Sequence, residues 1–278
     1  MVEPRQFLEG IGALADDSIP LFATALNLAA LSHIGRQLEP YENHLKKMQE
    51  QVGVRYADLL AAGAEENAAT KIASIKHILC DQYQYHGAVS NFNDMRNADI
   101  MEVIDARQGL PISLSILALE CAWAQGWDVK GINFPGHFLI RFDDGGQRVL
   151  SNPFHQFRLM QAPDLRQLLK TLLGANAELT TAHYQEISRR EIILRLQNNI
   201  KFRQIEGEFY DEALATVMLM RLMAPNEYRL LLDDGVLKAR LGRPLEAVES
   251  VRSYLQVVTN PRDRYDAEML LRALEMQI

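Results

Sequence analysis

The stretch from Gly109 to Phe154 constrains the fold of this 278-residue chain more than any other. It opens with an apolar segment in which Pro111 suits the first turn of a helix and Gly126 suits the left-handed position where a helix stops. Runs rich in β-branched and aromatic residues follow, separated by turn-forming residues, and they predict a β-hairpin. A central helix packed on an antiparallel hairpin indicates an α+β fold.

The predicted hairpin brings a histidine next to an asparagine. We place its turn at residues 143–146 and pair Phe142 with Gln147 across that turn. The same register sets His137 directly opposite Asn152. An imidazole that donates its Nδ1 hydrogen to an amide oxygen keeps Nε2 available as a base for a nucleophile at the start of the helix.

The nucleophile of such a site has few candidates. Ser113 and Ser115 are the hydroxyl side chains near the predicted helix start, whereas Cys121 lies about three turns further along and is expected to pack against its neighbours. One hypothesis is therefore a serine site in which Ser113 attacks, His137 takes its proton and Asn152 orients the imidazole. Its alternative is that His137 is a buried histidine that serves the fold.

Three motifs in this stretch resemble the bacterial SirB-type transglutaminase-like family, and the resemblance covers nearly the whole chain. They are Arg107-Gln-Gly-Leu-Pro-Ile-Ser-Leu-Ser115, Gly131-Ile-Asn-Phe-Pro-Gly-His-Phe-Leu-Ile-Arg141 and Asn152-Pro-Phe-His155. The resemblance implies a papain-like or transglutaminase-like domain. In such folds a cysteine at the start of the central helix, a histidine, and an aspartate or asparagine on adjacent strands carry out acyl transfer.

Residue by residue, this resemblance is incomplete. His137 matches the family's histidine, Asn152 stands where relatives often have an aspartate, and Pro111 stands where the nucleophilic cysteine would be. These departures favour a non-catalytic protein that acts in protein–protein interaction or regulation through its cleft and its helical repeats. The alternative is an acyl-transfer or amide-hydrolysing enzyme that uses Ser113, and a third hypothesis is a fold that only stabilises a partner complex.

The C-terminal part predicts a separate helical module. From about Gln185 the pattern is one of amphipathic helices, with Ala213 and Ala247 thirty-four residues apart in similar segments. Thirty-four residues is the period of the tetratricopeptide repeat, which consists of two helices. Pro225 and Pro261 suit the end of the second helix in each of two such repeats. We expect a transglutaminase-like domain over residues 1–178 and a tetratricopeptide-like domain over residues 179–278. The alternative is a helical cap on the first domain.

Two other side chains near the hairpin are expected to have structural roles. His155 follows the Asn152 motif, and a histidine in a loop is more often a surface hydrogen-bonding group than a catalyst. Arg141 alternates with Phe138 and Ile140 along its strand, which predicts a salt-bridged group on the surface.

The composition of the chain indicates which kinds of partner it binds and where in the cell it is located. The net charge is −7 without any lysine or arginine run, which argues against nucleic acid and anionic membrane surfaces as partners. The apolar stretch at residues 19–34 is interrupted by polar side chains and predicts a buried helix. Two cysteines in a chain of this length indicate a reducing, cytoplasmic location. The seven histidines are scattered, so we expect no metal site. We also expect no cofactor. The missing nucleophile and the helical repeats favour another protein as the partner.

Overall fold

The computed structural model describes residues 3–278 and confirms the α+β fold. It contains two compact units, one over Asp16–Leu196 and one over residues 3–15 together with Gln197–Ile278. The division at residues 178 and 179 remains a prediction about which segments fold independently. None of the helices in the described part of the chain combines the length and apolar content that crossing a membrane requires.

The helices in chain order are α1 (Pro4–Ile11), α2 (Leu21–Ala30), α3 (Glu39–Ala61), α4 (Ala68–Lys76), α5 (Ile100–Ala106), α6 (Pro111–Trp123), α7 (Ala162–Leu173), α8 (Arg189–Glu206), α9 (Tyr210–Met223), α10 (Arg229–Arg240), α11 (Pro244–Val257) and α12 (Pro261–Glu275). The strands are β1 (His86–Gly87), β2 (Gln108–Gly109), β3 (Val129–Ile132), β4 (Leu139–Asp144), β5 (Gln147–Asn152), β6 (Arg158–Met160) and β7 (Glu186–Ile187). Strands β1 and β2 pair in parallel, and the others form one antiparallel sheet in the order β6-β5-β4-β3-β7.

Helix α6 is the centre of the first unit. Pro111 occupies its first turn, where a missing N–H leaves no intrahelical bond unmade, and Gly126 follows its end with φ +72°. Every residue from Pro111 to Leu119 is buried, so this part of the helix is surrounded by protein on all sides, as expected of a core helix. It contacts α2 and α3 as well as strands β3 and β4. The predicted helix is therefore confirmed at both ends.

The hairpin is present as predicted, but its two strands pair in a different register. Gly145 and Gly146 both take positive φ values, +56° and +82°, which suit a two-residue turn rather than the predicted four-residue loop. The strands consequently extend to Asp144 and Gln147, which pair directly, and Phe142 pairs with Val149. The predicted pairing of Phe142 with Gln147 was wrong.

The corrected register moves the strand ends relative to each other by two residues. Ile140 pairs with Ser151, so the next position sets Leu139, and not His137, against Asn152. Along β5, Asn152 lies on the same face as Leu150 because side chains alternate. Leu139 and Leu150 belong to a core cluster with α7, whose members are Ile132, Phe134, Leu139, Leu150, Leu165 and Leu169.

Arg141 is buried, contrary to the predicted surface position. It is 8% exposed, and its Nη2 donates to Asp143 at 2.7 Å and to Glu186 at 3.0 Å. Glu186 lies on β7, far along the chain, so its contribution to burying this pair was not visible in the local alternation. The predicted ion pairing is present, and burial strengthens it relative to a solvated pair.

The second unit contains α9 to α12, packed successively against one another. Ala213 and Ala247 are both fully buried in α9 and α11. A Cβ on Gly235 would lie 2.8 Å from the Val251 side chain, so α10 and α11 approach closely at this glycine. Pro225 follows the end of α9, and Pro261 opens α12.

A buried carboxylate connects three helices of this unit. Asp234 on α10 is 1% exposed, accepts a hydrogen bond from Ser250 Oγ on α11, and pairs with Lys238 at 2.8 Å and with Arg221 at 3.4 Å. Three neighbouring donors compensate for the removal of the carboxylate from water.

Candidate functional site

The start of α6 lies against the segment that follows β5. Strand β2 leads through Leu110 into α6, and its Gly109 pairs with Gly87 of β1. A Cβ on Gly87 would lie 2.5 Å from the Phe154 carbonyl oxygen and 2.7 Å from its ring. The turn Pro153–His155 also contacts α6 itself. Two of the sequence motifs therefore meet beside the start of the central helix.

Gly87→Ala is expected to lower the free energy of unfolding by about 2 kcal/mol, because the added methyl group overlaps backbone as well as side-chain atoms of Phe154. Urea unfolding followed by circular dichroism measures the change. Gly10→Ala on α1 is the control, since a Cβ there meets nothing within 4 Å. Equal stability of the two variants would contradict the close approach of Gly87 and Phe154.

Ser113 is placed for a structural hydrogen bond. It is fully buried, and its Oγ donates to the carbonyl oxygen of Asn97 at 2.8 Å, tying α6 to the turn Met95–Ala98. Ser115 is also fully buried and donates to the Pro111 carbonyl at 2.7 Å. Neither hydroxyl donates to His137. Sequence reasoning missed Asn97 as the partner, because only the fold brings this turn to the helix.

The other two positions considered for a nucleophile do not supply one. Pro111 forms the first helical residue and has no nucleophilic side chain. Cys121 is fully buried, and burial raises the pKa of its thiol, which keeps the thiol protonated. Cys121 was expected to pack against its neighbours, as it does.

His137 is a partly buried histidine near Arg195 and His155. Its backbone N–H donates to Phe134 O at 3.0 Å, and its carbonyl accepts from Arg195 Nη2 at 2.8 Å. Burial lowers the pKa of the His137 imidazole, and electrostatic interaction with His155 and Arg195 lowers it further. The ring is therefore neutral near pH 7. His155 is exposed, as predicted for a loop histidine, while Arg195 of α8 could not be identified from sequence spacing.

Asn152 is a buried amide without a hydrogen-bond partner in the described part of the chain. It is 1% exposed, and neither its Oδ1 nor its Nδ2 has a hydrogen bond to any described residue. The predicted hydrogen bond that would orient His137 is therefore absent in this state. The assignment of Ser113, His137 and Asn152 to catalysis stays a prediction.

Asn152→Leu is expected to raise the free energy of unfolding by about 1 kcal/mol, because it removes an unpaired buried amide and keeps a similar volume. Thermal and urea unfolding of the two proteins measure the difference. Asn97→Leu is the matched control, because the side chain of Asn97 donates to Asn91 O at 2.7 Å and its loss destabilises the turn. A less stable Asn152→Leu protein would mean that water or a ligand satisfies the amide.

The described residues contain no group of three or more histidine, cysteine, aspartate or glutamate side chains arranged to hold a metal ion.

Comparison with known proteins places residues 39–198 within a family model described as the transglutaminase-like superfamily. A UPF0162 protein of Xylella fastidiosa (strain Temecula1) is 27% identical over 89% of this chain and 87% of its own length. A UPF0162 protein of Pseudomonas aeruginosa is 29% identical over 72% of this chain and 70% of its own. F-box only protein 21 of Homo sapiens is 24% identical over 81% of this chain but 38% of its own length. No solved structure matches the chain.

Proposed function

The chain belongs to the transglutaminase-like superfamily, and we propose that it is a non-catalytic member of the SirB-type family that acts through protein–protein contacts. The observation that carries this proposal is Pro111 at the first position of α6, where the family's nucleophile would stand. The partner binds the cleft at the helix start, the C-terminal tetratricopeptide-like helices, or both. The cytoplasm is the proposed location, because Cys80 and Cys121 are unpaired.

The hydrogen bonding of the candidate nucleophile supports this proposal. A serine hydroxyl becomes a strong nucleophile when a base takes its proton, and that requires the base within hydrogen-bond reach. Ser113 instead donates to Asn97 O inside the protein, out of contact with solvent. A substrate carbonyl has no access to this oxygen in the state described.

The C-terminal helices offer a surface for a partner. A groove of about 580 Å³ lies among α9, α10 and the end of α11, and it is mainly apolar. Met218 and Val257 in its lining are 52% and 48% exposed. Large apolar side chains grouped at a concave surface are typical of sites that bind other proteins.

Partner capture with the full-length chain tests the interaction. The double variant Met218→Asp with Val257→Asp places two charges in the groove and is expected to lose at least tenfold in affinity for a partner that the wild-type chain retains after purification. Ile34→Asp is the control, since Ile34 is 97% exposed and lies outside the groove. Equal binding by the groove variant and the control would exclude the groove as the contact.

A serine acyl-transfer enzyme is the second candidate, and the neutral imidazole of His137 favours it because a general base must be unprotonated. A fluorophosphonate that labels activated serines separates the two functions. The proposal expects no labelling of the wild-type chain beyond that of Ser113→Ala. Labelling that disappears in Ser113→Ala would overturn the non-catalytic assignment.

A further inference from the structure

Arg107 lies in an aromatic cluster outside the candidate site just described. It follows α5, and its Nη1 donates to Tyr85 Oη at 2.5 Å and to His44 Nε2 at 2.6 Å. The rings of Tyr83 and Tyr85 lie with their centroids 5.6 Å and 5.0 Å from its Cζ. The guanidinium is thus held by two neutral acceptors and covered by two aromatic rings.

This guanidinium has no counter-ion among residues 3–278. No carboxylate of a described residue lies within 4.0 Å of Arg107, although Asp105 is close in sequence. The Asp105 carboxylate instead pairs with Arg36 at 3.1 Å and accepts from Tyr41 Oη at 2.9 Å. A partly buried cation without an opposite charge is costly, so the protein maintains it at the expense of stability.

One edge of the Arg107 guanidinium has no hydrogen-bond partner among the described residues. Its hydrogen bonds to Tyr85 and His44 both use Nη1, and neither Nε nor Nη2 donates to another described residue. Neither of these nitrogens is sealed from solvent. The Nε–Nη2 edge carries two parallel N–H groups, the arrangement that binds both oxygens of a carboxylate.

The backbone around the cluster is strained. Arg107 and Gln84 both take left-handed conformations, with φ +57° and +61°. Arg107 immediately precedes β2, and Gln84 lies two residues before β1. A π-helical turn spans His77–Gln82 just before Tyr83. A left-handed backbone is unfavourable for residues other than glycine, and π-helical turns are rare. Both features occur often at functional sites.

We propose that Arg107, with Tyr83 and Tyr85, forms a binding site for a carboxylate group. The two N–H groups on the Nε–Nη2 edge can donate to both oxygens of a carboxylate, while the hydrogen bonds of Nη1 to Tyr85 and His44 hold the guanidinium in place. The net charge of −7 also disfavours a doubly charged ligand. The carboxylate belongs either to a small organic acid or to the carboxyl group of a polypeptide. This site is independent of whether the cleft beside α6 is catalytic.

Nuclear magnetic resonance of the Arg107 Nε–Hε group in the full-length protein tests the proposal, with the signal assigned through its proximity to the Tyr85 ring. Acetate is titrated against chloride at constant ionic strength. We expect a saturable shift of the Arg107 signal, with a dissociation constant of about 1 mM and no comparable shift at Arg158, which is exposed and paired with Asp164. A linear response, or equal shifts at both arginines, would overturn the proposal.

A second titration separates the two sources of the carboxylate. The probes are N-acetyl-triglycine with a free C-terminal carboxylate and the same peptide with a C-terminal amide. Tenfold tighter binding of the acid peptide than of acetate supports a polypeptide carboxyl group, and equal binding supports a small organic acid. The amide is expected not to bind in either case. An amide peptide that shifts the Arg107 signal as strongly as the acid would show that recognition does not need a carboxylate.

Discussion

Replacing Asp234 with alanine is expected to lower the free energy of unfolding by about 3 kcal/mol. The Asp234 carboxylate is 1% exposed and is the acceptor for Ser250 Oγ and the counter-ion of Lys238. Removing one member of a buried charged network leaves the other polar groups desolvated and unpaired, which costs more than the net contribution of the pair. Urea unfolding followed by helical circular dichroism measures this loss.

Asp211→Ala is the matched control in the same helical unit. The Asp211 side chain is 71% exposed and pairs with Arg243 at 3.2 Å, so its removal is expected to cost less than about 1 kcal/mol. If Asp211→Ala and Asp234→Ala lost similar amounts of stability, the buried network would not be what holds α10 against α11.

Acidification from pH 7 to pH 4 is expected to remove up to about 3 kcal/mol of stability through His44 alone. Burial, followed by the positive charges of Arg107 and Lys47, lowers the pKa of His44 to about 4. The unfolded chain takes up a proton near the ordinary pKa of 6.5, whereas the folded chain does so only near 4. Between these values the unfolded state binds more protons, so stability falls as the pH falls.

Urea unfolding at pH values between 7 and 4 measures this loss, and His44→Gln is the variant that isolates it. Glutamine keeps a side-chain acceptor near Arg107 and Tyr85 but does not titrate. The free energy of unfolding of the variant should decline less over the same pH range. The decline that remains comes from His137, whose pKa is also lowered. An identical decline in both proteins would assign the acid sensitivity to other groups.

Local features of the sequence predicted the elements of the fold well. Pro111 and Gly126 act through the conformation of one residue each, so the ends of α6 followed from residue type alone. The hairpin was also evident, but the run Asp-Asp-Gly-Gly is compatible with turns of different lengths. The choice of left-handed conformation at both Gly145 and Gly146 decided the register, and composition does not reveal it.

The candidate site depended on contacts that are distant in sequence. Ser113 was identified as a candidate because it is a hydroxyl near the helix start, yet the fold supplies Asn97 O as the acceptor of its hydrogen. Arg195 reaches the backbone of His137 from α8, and Glu186 helps to bury Arg141. None of these partners follows from periodicity, since each joins segments that only tertiary packing brings together.

Pro111 also affects how negative charge on a substrate oxygen could be stabilised at the start of α6. In acyl transfer, backbone N–H groups at a helix start stabilise the oxygen that becomes negative in the transition state. A proline has no N–H, so this position contributes neither an attacking atom nor an oxyanion donor. Pro111→Cys would introduce both groups by one substitution. A single residue at the helix start therefore decides whether this position can supply a thiol and a backbone N–H.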